Sequence, residues 1–177
     1  MPDKEFDYFT IEYLTIEPPK NKAIVDRFMK AGYDKLKLFN EIISTREPEE
    51  AKDDGDFMEL IEYIMNAMDK EEITEVLIGA LRDNFYYIEN ILKLQKLSND
   101  KVYDIVIDTL TEEIIEYTYD NDLSELVEAL NIYTNLSDLI LLKLALNNGV
   151  VAFVKEIIKY IILDDNQLIE EIEQLLE

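Results

Sequence analysis

The sequence predicts an all-α protein built from consecutive antiparallel helices, and three observations support that prediction. Apolar residues recur at spacings of three and four, with little interruption, from about residue 56 onward. Each interruption is a cluster rich in Asn or Asp, of the kind that ends or caps helices. Gly and Pro number only four each, which is too few for the many turns of a β-sandwich or barrel.

Three Asp-x-x-Glu signals mark the starts of helices in this region. In such a capping box the Asp side chain accepts a backbone hydrogen bond, and the Glu three residues later returns one. The signals are Asp56 with Glu59, Asp69 with Glu72, and Asp122 with Glu125. Each opens an apolar stripe at helical spacing, so each predicts a helix.

Further helices are predicted between the remaining turn signals, over 85–97, 102–117, 136–146, 150–163 and 167–176. The loops between them are short, and short loops favour antiparallel neighbours. Two arrangements meet this condition and both stay open: a compact bundle, or a HEAT-like stack of helix pairs.

The N-terminal third divides differently. Residues 1–19 are predicted to form a short extended strap, because Phe, Tyr, Thr and Ile are frequent there and Pro18-Pro19 follows. A single all-α domain is predicted over 20–177. It comprises a locally basic helix pair at 20–44 (helices over 23–30 and 35–43), an acidic loop at 45–55 and an acidic helical body at 56–177.

Composition restricts the chemistry. The 177 residues carry forty Asp and Glu against seventeen Lys and Arg, a formal charge of −23, and contain neither His nor Cys. A hydrophobic content of 48% argues for a folded protein under this charge. The missing residue types exclude Ser-His-Asp triads, Cys nucleophiles and zinc sites with His ligands. We therefore predict no catalytic residue, cofactor or metal in the leading interpretation, and a cytoplasmic location because a disulfide framework and a signal-peptide pattern are both missing.

The acids are unevenly distributed. Residues 102–142 hold ten acids without a Lys or Arg, and the last fourteen residues hold six more. Carboxylates three or four residues apart on a helix lie about 5–6 Å from each other, the same order as the spacing of phosphates along a nucleic acid. The sequence therefore predicts a non-enzymatic inhibitor or nucleic-acid mimic, of the viral-antagonist, anti-defence or immunity type. Its predicted partner-binding residues are Asp104, Asp108, Glu112, Glu116, Tyr117, Tyr119 and Asp120.

The expected partner is a basic protein, such as a nuclease or another nucleic-acid-binding protein, and no direct binding to nucleic acid or membrane is expected. A local cluster of cations stands against this pattern in the first helix pair: Lys20, Lys22, Arg27, Lys30, Lys35 and Lys37. Self-neutralisation against the acidic body is the favoured interpretation of these residues, rather than a nucleic-acid site. The pairs Tyr86-Tyr87 and Tyr117-x-Tyr119 are either binding contacts or core residues with outward hydroxyls.

Two alternatives from other functional classes stay open. Glu112, Glu113 and Glu116, followed by Glu125 and Glu128, form an E-E-x-x-E helix and a later acidic helix. This stretch of about two dozen residues resembles the all-α nucleoside-triphosphate pyrophosphohydrolases of the MazG type, and the resemblance implies that the five carboxylates hold Mg²⁺. Glu128 replaces the final Asp of that family's pattern. The third interpretation is a helical scaffold that forms a homo-oligomer.

Overall fold

A computed structural model describes residues 18–83, 85–110, 120–134, 138–147, 151–159 and 166–176, and within these ranges it is all-α, without strands. The helices are α1 Pro18–Lys30, α2 Lys35–Ile43, α3 Pro48–Asp53, α4 Gly55–Ala67, α5 Lys70–Asp83, α6 Ile88–Lys93 after a 3-10 turn at Phe85–Tyr87, α7 Asn99–Thr109, α8 Asp120–Thr134, α9 Asp138–Asn147, α10 Val151–Ile157 and α11 Asn166–Leu176. The fold class predicted from the sequence is confirmed. None of the helices described is long and apolar enough to cross a membrane.

The chain divides into two compact units, unit 1 at Met1–Val76 and unit 2 at Leu77–Glu177. The single domain predicted over 20–177 stays a prediction, as does the choice between a bundle and a stack. The strap predicted at 1–19 lies outside the described residues, except for Pro18 and Pro19. These two prolines begin α1, since the first turn of a helix tolerates residues that lack a backbone N–H.

Unit 1 is organised around α4. This helix packs against α1, α2 and α3. Five of its side chains are fully buried, at helical spacing: Phe57, Leu60, Ile61, Ile64 and Met65. Each such side chain contributes about 1.5–3 kcal/mol when it leaves water. The apolar stripe predicted from the sequence is therefore the core of this unit.

Of two helix starts predicted in unit 1, one is confirmed and one is wrong. At α5 the capping box is confirmed, because the Asp69 carboxylate accepts from the Glu72 N–H at 2.9 Å and Glu72 accepts from the Asp69 N–H at 2.7 Å. At α4 the prediction of Asp56 as N-cap is wrong. Asp54 accepts from the Phe57 N–H at 3.0 Å, and the helix begins at Gly55. An acidic run offers several caps, and the one three residues before the first buried side chain is used.

The loop predicted at 45–55 is also corrected, since it contains the short helix α3. Pro48 stands in the first turn, where its fixed φ and missing N–H suit a helix start. Ala51 is fully buried, and α3 packs against α4. The high charge density of this segment suggested a solvated loop, but it did not exclude a short helix with one buried side chain.

In unit 2, α8 packs against α6, α10 and the 3-10 turn, while α9, α10 and α11 contact one another. The buried side chains include Tyr87, Ile91, Val106, Leu126, Leu130, Leu142 and Val154. Helices predicted over 136–146, 150–163 and 167–176 correspond to α9, α10 and α11, and the helix predicted over 85–97 is reduced to the 3-10 turn and α6. Its last turn is lost where Gln95 adopts a φ of 51°.

Two further predictions concerning unit 2 are wrong. The helix predicted over 102–117 runs from Asn99 to Thr109, with Ser98 as N-cap, and Leu110 has left the helical conformation (ψ 88°). β-Branched residues are frequent around this point and lower helix propensity. Asp122 is not an N-cap, because it lies within α8, described from Asp120 onward.

Candidate partner-binding surface

An acidic row follows one side of α7. Asp100, Asp104 and Asp108 stand four residues apart, and all three are exposed. The opposite side of the helix is buried through Val102, Ile105, Val106 and Thr109. Four residues of α-helix rise about 6 Å, so the row extends over about 12 Å. Within the described residues, no cation pairs with these three carboxylates.

The structure accounts for part of the predicted partner-binding set. Asp104 and Asp108 lie in the acidic row, and Asp120 is the first residue of α8. The other four lie outside the described residues: Glu112, Glu116, Tyr117 and Tyr119. The longer predicted helix would have placed Glu112 and Glu116 on the face of Asp104 and Asp108, but α7 ends at Thr109.

Sequence reasoning missed Asp100, which it assigned to a loop. The signal was present, since Ser98 is a good N-cap residue and its hydroxyl accepts from the Lys101 N–H at 3.3 Å. A helix that starts at Asn99 places Asp100 one turn before Asp104. Asp100 also lies in the first turn, where a negative charge is favoured by the helix dipole.

Two tyrosines of unit 2 have raised pKa values. The hydroxyl groups of Tyr103 on α7 and Tyr86 in the 3-10 turn are buried, without a hydrogen-bond partner within the described residues. Burial raises the pKa of each to about 12, and the Asp104 charge adds to the effect at Tyr103. Tyr86 packs edge-on against the buried Tyr87, with ring centroids 4.9 Å apart. Tyr86 and Tyr87 therefore belong to the core, although the Tyr86 hydroxyl does not reach outward as predicted.

A third tyrosine of unit 2 connects two helices. The Tyr133 hydroxyl on α8 donates to the Glu89 carboxylate on α6 at 2.9 Å. That hydrogen bond, with smaller contributions from desolvation and the Glu89 charge, raises the pKa of Tyr133. Glu89 is thereby held in place while remaining exposed.

Beside this contact unit 2 contains a cavity of about 250 Å³, hereafter the unit 2 cavity. Its apolar part comes from Ile91 and Leu92 on α6 and Val102 on α7, all of which are buried. Its remaining wall is mostly polar and comprises Gln95, Lys96, Leu97, Asn99, Tyr133 and Thr134. Nothing in the sequence pattern predicted this cavity, because it forms where the ends of three helices and a loop meet.

The five carboxylates of the metal-binding alternative are only partly described. Glu125 and Glu128 are exposed on α8. Glu112, Glu113 and Glu116 lie outside the described residues. Among the residues that are described, no group of three acids is arranged to hold a metal ion.

Four cations of unit 1 form ion pairs with acids of the same unit: Lys22, Lys35, Lys37 and Arg46. Lys22 pairs with Glu59 at 3.1 Å and Lys35 with Glu72 at 2.8 Å, both across elements distant in the chain. Lys37 lies 3.9 Å from Glu41. The self-neutralisation against the acidic body predicted from the sequence is confirmed for Lys22 and Lys35, whereas Lys37 pairs within its own helix.

The other three cations of the predicted basic cluster differ. Arg27 and Lys30 are exposed without an ion pair in the described part of the chain, and the Lys20 side chain lies outside it. Two exposed cations on one short helix are a weak basic surface. The geometry gives no support to a nucleic-acid site in unit 1.

Comparison of the chain with protein-family models, with curated proteins and with solved structures finds no match. No family is therefore shown for this chain. Its function has to be argued from its own residues.

Proposed function

We propose that the chain is a non-enzymatic interaction protein that binds a basic partner through the acidic surface of unit 2 and blocks it. The partner is a nucleic-acid-binding protein, such as a nuclease, whose Lys and Arg residues otherwise contact phosphates. One observation carries the proposal: the acidic row at Asp100, Asp104 and Asp108 is exposed, and within the described residues none of its carboxylates forms an ion pair, although Lys101 lies on the same helix.

The mechanism is competition for the partner's cations. Three carboxylates about 6 Å apart on a rigid helix present charges at a spacing of the same order as a phosphate backbone. The wider negative field of unit 2, with twenty acids against seven cations, accelerates encounter with a positively charged surface. Since α7 is anchored by its buried face, the carboxylates are held in position before binding, which lowers the entropic cost of association.

The proposal is tested by affinity capture from an extract of the source organism, with the wild-type chain and a triple variant as bait. The variant carries Asp100→Asn, Asp104→Asn and Asp108→Asn. We expect the wild type to retain a basic protein at about 0.05 M salt and to lose most of it at about 0.5 M, because exposed charges are then screened. The triple variant should retain several-fold less at low salt.

A control with the same change of charge separates the acidic row from bulk acidity. Glu50→Gln, Glu71→Gln and Glu75→Gln neutralise three exposed acids of unit 1 that form no ion pair in the described residues. This control should bind as the wild type does. If both triple variants lose the partner equally, or if capture is unchanged at high salt, the proposal is wrong.

The two alternatives predict other outcomes. A pyrophosphohydrolase would release pyrophosphate from nucleoside triphosphates with Mg²⁺, and Glu113→Ala would abolish that release. A scaffold subunit would show a stable homo-oligomer in light scattering, unaffected by the acidic row. No observation on the described residues favours either one.

A further inference from the structure

The unit 2 cavity is separate from the acidic row. On α7 it is lined by Asn99 and the buried Val102, on the side of the helix opposite to the row. A ligand of the cavity is therefore independent of a partner bound along the row. The cavity volume of about 250 Å³ exceeds the roughly 150 Å³ of an apolar cavity that binds benzene, and it is smaller than most sites for drug-sized ligands. Its size suits a ligand of one or two fused rings.

One residue of the cavity wall, Gln95, has a strained backbone. It follows Leu94, the C-cap of α6, and its φ of 51° lies in the left-handed region. Gly usually occupies this position after a helix, because a Cβ atom is disfavoured there. The Gln95 N–H donates to the Leu92 carbonyl at 3.0 Å, which closes the end of the helix. Gly would close it in the same way without strain, which indicates a use for the Gln side chain other than stability.

The hydrogen-bonding groups of the wall fall into two classes. The hydroxyl groups of Tyr133 and Thr134 already donate to other groups of the chain, and Lys96 also has an interaction partner. The side-chain amides of Gln95 and Asn99 form no hydrogen bond within the described residues. Each primary amide has N–H donors beside a carbonyl acceptor. These two amides therefore match a ligand in which an acceptor lies next to a donor.

We infer that the unit 2 cavity binds a small uncharged nitrogen heterocycle with a donor beside an acceptor, the pattern of a nucleobase, and that Gln95 recognises this edge. Asn and Gln amides make such paired hydrogen bonds with adenine, whose N6 amino group donates while N7 accepts. The buried Ile91, Leu92 and Val102 offer apolar surface to the face of the ring. An uncharged ligand is favoured, because the described wall holds no carboxylate for a cation and the acids of unit 2 repel an anion. The inference goes beyond the proposed function and does not depend on it.

Titration calorimetry with the wild-type chain tests the class of ligand. Adenine is the probe, and indole, a fused bicycle of similar size without a ring acceptor, is the comparison. We expect adenine to bind with a dissociation constant of about 0.1–1 mM, as its small size allows, and at least about fivefold more tightly than indole. Raising the salt from about 0.05 M to about 0.5 M should leave its affinity unchanged, because the ligand carries no charge.

The cavity and the acidic row fail separately in this experiment. If adenine does not bind, or if indole binds as tightly as adenine, the inference about the cavity is wrong. Neither result changes the expected capture of a basic partner by the acidic row. Loss of that capture would, in turn, leave the binding of adenine as expected.

Two substitutions at Gln95 separate recognition from strain. Gln95→Gly and Gln95→Ala both remove the amide, so each should weaken the binding of adenine at least about fivefold. Gln95→Gly also relieves the left-handed backbone, so the melting temperature should rise by about 2–4 °C. Gln95→Ala keeps a Cβ atom and should not raise it. A Gly variant that binds adenine as the wild type does, or that melts at a lower temperature, would contradict the role of Gln95.

A second pair of variants tests the other amide of the wall. Asn99→Ala should also weaken the binding of adenine, because it removes the amide at the start of α7. Asn166→Ala makes the same change at the exposed first residue of α11 and should leave the affinity as in the wild type. Equal effects of the two variants would mean that the amides of the cavity do not recognise the ligand.

Discussion

The two units of this chain use their charges differently. In unit 1, twenty acids face ten cations, and Lys22, Lys35 and Arg46 each pair with an acid elsewhere in the unit. In unit 2, twenty acids face seven cations, and the acidic row has no cation paired with it in the described residues. In unit 1, ion pairs between charged side chains stabilise the unit itself. In unit 2, the carboxylates of the acidic row can interact with another molecule.

The polar groups next to these charges follow the same division, with one exception. In unit 1 the Tyr33 hydroxyl donates to Glu41 at 3.0 Å and the Tyr63 hydroxyl donates to Asp26 at 2.6 Å. In unit 2 the hydroxyls of Tyr86 and Tyr103 are buried without a partner in the described residues, although Tyr133 bonds to Glu89. Within the described residues, the two units therefore differ in how far their tyrosine hydroxyl groups are hydrogen-bonded.

The largest expected effect concerns the core of unit 1. Phe57→Ala removes a fully buried ring from α4, the helix that contacts α1, α2 and α3. The free energy of unfolding should fall by about 3–5 kcal/mol, through lost burial and the cavity left behind. Urea denaturation followed by circular dichroism measures it. The neighbouring half-buried Met58, replaced by Ala, should cost clearly less; equal losses would mean that α4 does not centre the unit.

The ion pairs of unit 1 provide the next test. Lys35 donates to the Ala67 carbonyl at 2.9 Å, at the end of α4, and pairs with Glu72 at the start of α5. Lys35→Met keeps the aliphatic stem and removes both contacts, so we expect a loss of about 1–2 kcal/mol in the free energy of unfolding. Lys30→Met, at an exposed cation without an ion pair in the described residues, is the matched control and should change it little. If both variants lost the same free energy of unfolding, cations with an ion pair and cations without one would not differ in their contribution to stability.

Replacing a tyrosine by phenylalanine in each unit tests whether the hydroxyl groups of the two units contribute differently to stability. Tyr63→Phe removes a donor bonded to Asp26 and should lower the stability. Tyr103→Phe removes a hydroxyl that is buried without a partner in the described residues, so it should leave the stability unchanged or raise it by up to about 1 kcal/mol. Chemical denaturation of the two variants under one set of conditions gives the signs. Destabilisation by Tyr103→Phe would show that its hydroxyl is bonded after all.

Alkaline titration checks the same burial without a stability measurement. Tyr33, Tyr86 and Tyr103 each have a pKa raised to about 12, chiefly by desolvation, with the hydrogen bond to Glu41 adding to it at Tyr33. Because their folded pKa exceeds the unfolded value of 10.0, their stabilising contribution is present below pH 10 and lost as the pH rises towards 12. Phenolate absorbance should therefore show a late fraction near pH 12 that disappears in urea. A single transition near pH 10 would contradict the burial.

Sequence patterns predicted the core better than the ends of the elements. The stripe from Phe57 to Met65 and the capping box at Asp69 could be read directly, because helical spacing and cap chemistry are local properties. The cap at Asp54 and the early end of α7 could not, since an acid-rich chain offers many equivalent caps and packing chooses among them. Charge counting indicated the acidic region over 102–142 but did not include Asp100, because the N-cap at Ser98 that starts α7 at Asn99 was not recognised.

The smallest expected change in stability concerns the acidic row itself. It compares an acid near the C-terminus of α7 with an acid near its N-terminus. Asp108 lies in the last turn of the helix and Asp100 in the first. Asp108→Asn removes a charge that the helix C-terminus and Asp104 both disfavour, so the free energy of unfolding should rise by about 0.2–0.5 kcal/mol.

Asp100→Asn removes a charge that the helix N-terminus favours, so the stability should fall slightly or not change. Each variant lacks one carboxylate of the wild type, and the two variants have the same net charge, so each is a control for the other. Their difference should shrink at high salt, because exposed charges are screened. If Asp108→Asn were instead destabilising, Asp108 would be serving the fold as the acids of unit 1 do, and the contrast between the units would fail at this residue. A gain in stability combined with a loss of partner binding would show that unit 2 keeps a charge at the expense of its own helix.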